Sequence, residues 1–193
     1  VEQLGKRLVQ RRHEVSVYNR INHFKEYPSQ FEGMKIIYLP AVATKYFETI
    51  VHTTLCFFHA LFIRYDVIYF CGVGNAIFCL WGWIRGWRII INVDGTDYKR
   101  GKWNIFARMW LKGSEWIASL AAHKVIADNP VVVKHYESLY AFTPTFISYG
   151  GNSDIPPTNS GQLTRFGLKP KQYILFVSRL TPENDALLLI KAY

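Results

Sequence analysis

Strand-like and helix-like patterning alternates along the chain. Leu4, Leu8 and Val9 share one face of residues 2–12 while Lys6, Arg7 and Arg11 lie on others, which predicts an amphipathic helix. HEVSVYN (13–19) alternates Val15 and Val17 and predicts a strand. MKIIYLP follows Gly33 as a second strand, ended by Pro40, and residues 44–64 read as a long apolar helix. DVIYF (66–70) reads as a short buried strand, GVGN as a turn, and the run through Leu80 and Trp83 as a helix. WRIIINVD (87–94) is another buried strand, opening onto the polar loop DGTDYKRGKW. A helix from about 103 to 121, a strand in HKVIADN (123–129), a helix near 130–139 and a strand in TFISY (145–149) complete the series. Strands alternating with helices, several of them apolar on both faces, predict an α/β, Rossmann-like fold. Its sheet is mostly parallel, with helices on both faces.

The pattern changes after Tyr149. GGNSDIPPTNSGQL has the composition of a linker, so residues 1–150 read as one domain and 151–170 as the connection to another. QYILFVS (172–178) predicts a new buried strand. RLTPENDALLLIKAY predicts a helix entered through Thr181-Pro182-Glu183, a capping side chain, a proline and an acid in order. Residues 171–193 therefore read as the opening βα unit of a second, truncated domain. Its apolar faces must pack on the first domain or lie exposed.

With 193 residues, half of them apolar and 19% charged, the chain is neither a disordered tail nor a low-complexity polymer. Twenty-three basic residues against 14 acidic ones give a net charge of +9, which implies an anionic partner: nucleic acid, anionic lipid or a phosphorylated small molecule. No run of five like charges marks a nucleic-acid arm. Cys56, Cys71 and Cys79 are odd in number and lack a CxxC spacing, which fits a reducing cytosol better than disulfides or a zinc ribbon. VEQLGKRLVQ is a charged helix rather than a signal peptide. Residues 67–84 are uncharged over nearly the length of a membrane span, but Gly72, Gly74 and Asn75 interrupt them, and a strand–turn–helix fits better.

Four groups of residues can carry chemistry. The first is the loop Asp94-Gly95-Thr96-Asp97-Tyr98-Lys99-Arg100-Gly101-Lys102-Trp103, which lies beyond the carboxyl end of a buried strand, where open α/β sheets bind ligands. There Asp94 can accept from a sugar hydroxyl, Lys99, Arg100 and Lys102 can meet a phosphate, and Trp103 can stack on a ring; the alternative is a solvated loop in which Asp97 caps a helix. The two carboxylates are three apart and do not form the D-x-D of a metal–diphosphate clamp. The second is Gly72, Gly74 and Asn75, an anion cradle or simply a tight turn. The third is Arg179 with Asn184, a bidentate diphosphate contact or an interface arginine. The fourth is His52, Cys56 and His59, which share a helical face but have no evident fourth ligand, so no metal is expected. Tyr149 and Gly150 close the first domain as a hinge touching ligand or as an ordinary turn.

Taken in order, VEQLGKRLVQRRHEVSVYNR, DVIYFCGVGNA, NVDGTDYKRGKW, AHKVIADN, SYGGN and FVSRLTPEN resemble retaining GT-B glycosyltransferases of family 4, in the bacterial rhamnosyltransferase-like branch. The loop and the SRLTPEN segment are the specific parts. The resemblance implies an acceptor-binding amino-terminal domain, a donor domain for a nucleotide-sugar, no other cofactor and no metal. It also implies a lipid-linked saccharide acceptor at the cytosolic membrane face in cell-surface polysaccharide synthesis. By the same resemblance Asp94 and Gly95 reach the transferred sugar or acceptor, and Arg179 reaches the donor diphosphate.

The resemblance further implies that the first strand of the sheet is missing, that Thr96, Asp97 and Tyr98 stand where Leu-Glu-Trp is expected, and that the fragment alone is inactive. The loop at 94–103 is then expected to face a crevice whose far wall is further polypeptide. Two readings from other classes remain open. A basic membrane-surface binding module would bind anionic lipid without a sugar-nucleotide. A nucleic-acid-binding α/β domain would need aromatics interleaved with Lys and Arg, whereas here the aromatics sit in apolar runs.

Overall fold

The computed structural model describes residues 1–23, 25–42, 44, 48–96, 98, 103–150, 161–178, 180 and 184–193. Helix α1 (Glu2–Gln10) leads into β1 (Ser16–Arg20), and the short β2 (Gln30–Phe31) turns back into β3 (Met34–Leu39). These strands form a three-stranded sheet in the order β1-β3-β2, with β1 and β3 parallel and β2 antiparallel. Gly5 of α1 lies so close to the Met34 thioether that a side chain there would force this flexible group to shift, and this seats the helix on β3.

After α2 (Glu48–Leu61) come β4 (Val67–Cys71), α3 (Phe78–Arg85), β5 (Arg88–Val93), α4 (Ile105–Ala121), β6 (Lys124–Ala127), α5 (Pro130–Tyr140) and β7 (Thr145–Phe146). Strands β4-β5-β6-β7 make a second sheet, parallel throughout. The suspected membrane stretch is thus strand, turn and helix, and among the described residues no helix is long and apolar enough to cross a membrane.

The core lies on one face of this second sheet. Ile89, Ile91, Val93, Val125 and Ala127 project there and meet Phe57 and Ala60 of α2, Cys79 of α3, Leu111 and Ala118 of α4, and Val132 and Tyr136 of α5. Each fully buried Ile or Val contributes about 1.5–3 kcal/mol, so this face holds the fold. The other face, with Val67, Tyr69, Cys71, Arg88 and Lys124, is largely exposed among the described residues. Asparagines start two of the covering helices. Asn104 accepts from the Ala107 amide at 2.9 Å, and Asn129 accepts from the Val131 amide at 2.8 Å ahead of Pro130.

One expectation needs correction. Residues 172–178 form no strand, and Ile174, Leu175 and Val177 lie exposed; a lone strand without a neighbouring ladder cannot hold itself. The helix after it forms as α7 (Ala186–Ala192) with Leu187, Leu188 and Ile190 exposed, while its expected entrance at 181–183 lies outside the described residues. The stretch read wholly as a linker contains a short helix, α6 (Gly161–Arg165).

Candidate functional site

The carboxyl ends of β4, β5, β6 and β7 lie side by side, and four chemistry-bearing side chains gather there. Asn92, only 6% exposed, is the polar residue inside the Ile-rich strand β5. Its Nδ2 donates to Asp94 Oδ1 at 2.9 Å and to the Tyr149 hydroxyl at 2.8 Å. The Tyr149 hydroxyl donates in turn to the same Asp94 Oδ1 at 2.5 Å. One amide with two hydrogens thus holds a carboxylate from the end of β5 and a phenol from the segment after β7.

The hydrogen bond to Asp94, with some burial, pushes the Tyr149 phenol up to about 12, so at neutral pH it stays protonated and donates. Asp128, just after β6, adds its charge to the same effect. Asp94 is exposed, and only its Oδ1 is engaged by these donors. Among the described residues no hydrogen bond is made to its second oxygen, which is free to accept from a ligand hydroxyl.

At the end of β4, burial raises the Cys71 thiol, and the Asp94 carboxylate raises it too. Tyr69 is raised by burial and then by Cys71 and Asp94. Both side chains are therefore within electrostatic reach of the Asp94 cluster. Gly72 has φ +97°, which a side chain rarely adopts, and its amide donates to the Asn92 carbonyl at 2.9 Å. Gly95 has φ +116° and open space around it, so the chain turns away directly after Asp94.

The remaining expected site residues are placed unevenly. The Gly72 amide is spent on the sheet, so it does not cradle an anion. Gly74 accepts from Trp110 Nε1 at 3.3 Å, and Asn75 Nδ2 reaches the Cys71 carbonyl at 3.4 Å, as in a tight strand-to-helix turn. Trp103 packs half-buried against the core rather than offering a free face. Gly150 has no atom within contact of an added Cβ. Asn184 lies in the turn before α7. Asp97, Lys99, Arg100, Lys102 and Arg179 lie outside the described residues.

His59 Nδ1 pairs with the Tyr18 hydroxyl at 3.0 Å. His52 faces the Pro40 carbonyl at 3.4 Å through Nδ1 and Cys56 Sγ at 3.3 Å through Nε2. These histidines are bonded within the fold. Among the described residues, no group of three His, Cys, Asp or Glu side chains is arranged to hold a metal.

A buried network holds Tyr98. Glu115 of α4 is 0% exposed; its Oε2 accepts from the Tyr140 hydroxyl and lies opposite His135 Nε2, each at 3.0 Å. The Tyr98 ring rests on the His135 ring at 5.8 Å, and its carbonyl accepts from Arg108 Nε at 3.1 Å. Tyr98 is thereby tied to both α4 and α5. Burial and the Glu115 charge raise the Tyr140 phenol well above its usual range.

Asn92, Asp128 and Glu115 were not singled out from the sequence. A polar residue two before the strand-end aspartate, and a strand-end Asp-Asn pair, are the signals that mark the first two. Much of the loop at 94–103, beside which a crevice is expected, lies outside the described residues. A shallow depression of about 410 Å³ lies against α4, lined by Met109, Lys112, Gly113, Trp116 and Tyr140.

The molecule is an α/β protein of Rossmann-like fold whose parallel sheet gathers a carboxylate, an amide and a phenol at its carboxyl edge. Residues 66–152 match the family model described as Domain of unknown function (DUF1972). That match spans β4 to just beyond Tyr149 and so contains the whole cluster and the Glu115 network. No curated protein matches the chain.

Proposed function

We propose that residues 1–150 form the acceptor side of a glycosyltransferase. Asp94 orients and polarises a saccharide hydroxyl, which attacks the anomeric carbon of a nucleotide-sugar as the bond to its diphosphate breaks. Residues 171–193 open the donor domain, and there Arg179 meets the diphosphate. The sugar is a deoxyhexose such as rhamnose, transferred with retention. The acceptor is a lipid-linked saccharide at the cytosolic face of the membrane. The observation that carries this reading is the exposed Asp94 carboxylate, anchored through one oxygen by Asn92 and Tyr149, at the strand ends where α/β sheets bind ligands.

The test is a titration of rhamnose- and N-acetylglucosamine-terminated oligosaccharides into the chain, read by saturation-transfer NMR. A hydrogen bond to a charged group is worth about 1.5–3 kcal/mol, so Asp94→Ala weakens binding roughly 10- to 100-fold. Equal binding by wild type and variant removes Asp94 from the site, and absence of saccharide binding removes the class. In the complete enzyme, Arg179→Ala weakens nucleotide-sugar affinity; an unchanged affinity makes that arginine structural.

A further inference from the structure

Tyr149 is exposed unevenly. Its hydroxyl is engaged inward, donating to Asp94 Oδ1 and accepting from Asn92 Nδ2 at 2.8 Å, yet the residue as a whole is 66% exposed. The open surface therefore belongs to the ring and not to its polar tip. Tyrosine is an apolar ring with a polar handle, and in a core the ring is the part that is buried. Here the handle is held and the ring is turned to solvent. Two hydrogen bonds on one hydroxyl also fix where that ring stands, directly beside the carboxylate.

Alternation along the strands decides which side of the sheet the cluster occupies. Ile68 and Phe70 of β4 and Ile89, Ile91 and Val93 of β5 pack toward the core and its helices, so Asn92 belongs to the opposite, largely uncovered face. Tyr69 of β4 stands on that same face. Gly95 and Gly150, the chain neighbours of Asp94 and Tyr149, both have open space around them among the described residues. The site thus opens onto the bare side of the sheet at its carboxyl edge. Trp103, the ring expected to stack on a ligand, is instead half-buried against the core.

An open aromatic face beside an exposed carboxylate suits a pyranose. Such a ring carries hydroxyls around its rim and C–H groups across its faces. The C–H face lies on an aromatic ring, and a rim hydroxyl donates to a carboxylate, which only accepts. We infer that Tyr149 is the stacking platform for the acceptor saccharide: a pyranose lays its C–H face on the phenol ring and donates a hydroxyl to Asp94. The inference rests on the acceptor reading above and adds to it the side chain that recognises the sugar ring. It gives the Asn92 and Asp94 bonds a second purpose, which is to hold that ring in place before the saccharide arrives.

The experiment titrates the same rhamnose- and N-acetylglucosamine-terminated oligosaccharides into the chain and follows the ligand's own proton NMR. A C–H group lying over an aromatic ring is shifted upfield by the ring current, a signature that a merely structural tyrosine does not produce. On wild type, the C–H protons of one face of a terminal pyranose move upfield. Tyr149→Phe keeps the ring without its handle, so the upfield shift persists and affinity falls about threefold. Tyr149→Leu removes the ring, so the shift disappears and affinity falls roughly tenfold. Circular dichroism confirms that each variant is folded. Saccharide that binds through Asp94 without an upfield shift, or that binds wild type and Tyr149→Leu equally, overturns the platform and leaves the acceptor reading standing. Equal losses in Tyr149→Phe and Tyr149→Leu also overturn it and make Tyr149 a holder of Asp94 alone. Absence of saccharide binding to wild type overturns both.

Discussion

Replacing Glu115 with alanine probes both the core and the support of Tyr98. In the folded chain the carboxylate is fully buried, accepts from Tyr140 and pairs with His135. Alanine removes this acceptor, leaves the phenol and the imidazole without it, and opens a cavity between α4 and α5. Deleting one member of a buried pair costs about 3–5 kcal/mol. That is a large share of the 5–15 kcal/mol that holds an ordinary domain. Glu115→Gln keeps an oxygen toward one of the two donors and should lose about 1–2 kcal/mol. The assay is urea denaturation followed by circular dichroism, with the slope held constant across variants so that the midpoint reports stability. A cycle with His135→Ala isolates the coupling, expected at about 0.5–3 kcal/mol. A loss below about 1 kcal/mol for Glu115→Ala, or no coupling to His135, would refute the network as the anchor of α4, α5 and Tyr98.

Three further outcomes are expected. The Tyr149 phenol titrates near 12 in the folded chain against an ordinary 10, so the stability it contributes is intact below pH 10 and is lost as pH rises from 10 through 12. NMR of labelled tyrosine should find it protonated at pH 10.5 in wild type but largely ionised in Asp94→Asn. Gly82→Ala drives a methyl into the side chain of buried Ile89 and should cost about 1–2 kcal/mol after its helix-propensity gain. Gly5→Ala meets the yielding Met34 thioether and should stay within about 1 kcal/mol of wild type; equal midpoints for the two variants would contradict this packing. Burial pushes the Cys56 and Cys79 thiols up to about 12, so iodoacetamide at pH 8 should spare both until the chain is unfolded.

Much of the architecture was legible because the parallel strands are written as unbroken apolar runs, although among the described residues only one face of the second sheet is well covered. RIIINV could only be an inner strand, and β4, β6 and the helices between them followed from the same logic. Strand β2 was not legible, since two exposed residues carry no pattern and pair only because β3 passes beside them. QYILFVS shows the opposite failure: its composition suits a strand, but a strand needs a ladder, which local sequence cannot supply. At the site, Asp94 was readable from its place at a strand end. Its partnership with Tyr149, 55 positions away, belongs to the sheet order rather than to any motif. Asn92 was hidden because an asparagine in an apolar run looks like the start of a loop, although its amide organises the cluster. Glu115 was hidden for a related reason: within WLKGSEWIASL it reads as one more solvated charge, and only tertiary packing places it against His135.

The division of the strands into two sheets leaves β1 and β4 each as a terminal strand whose outer side pairs with no described residue. A parallel edge rich in β-branched and aromatic residues offers its amides and carbonyls to any extended peptide of the right direction. Val67, Tyr69 and Cys71 make such a template on β4, without lysine, proline or a bulge to blunt it. The practical corollary concerns purification. Concentrated solutions of this polypeptide will aggregate along that margin unless something extended occupies it, and a short synthetic strand added in trans should keep them clear.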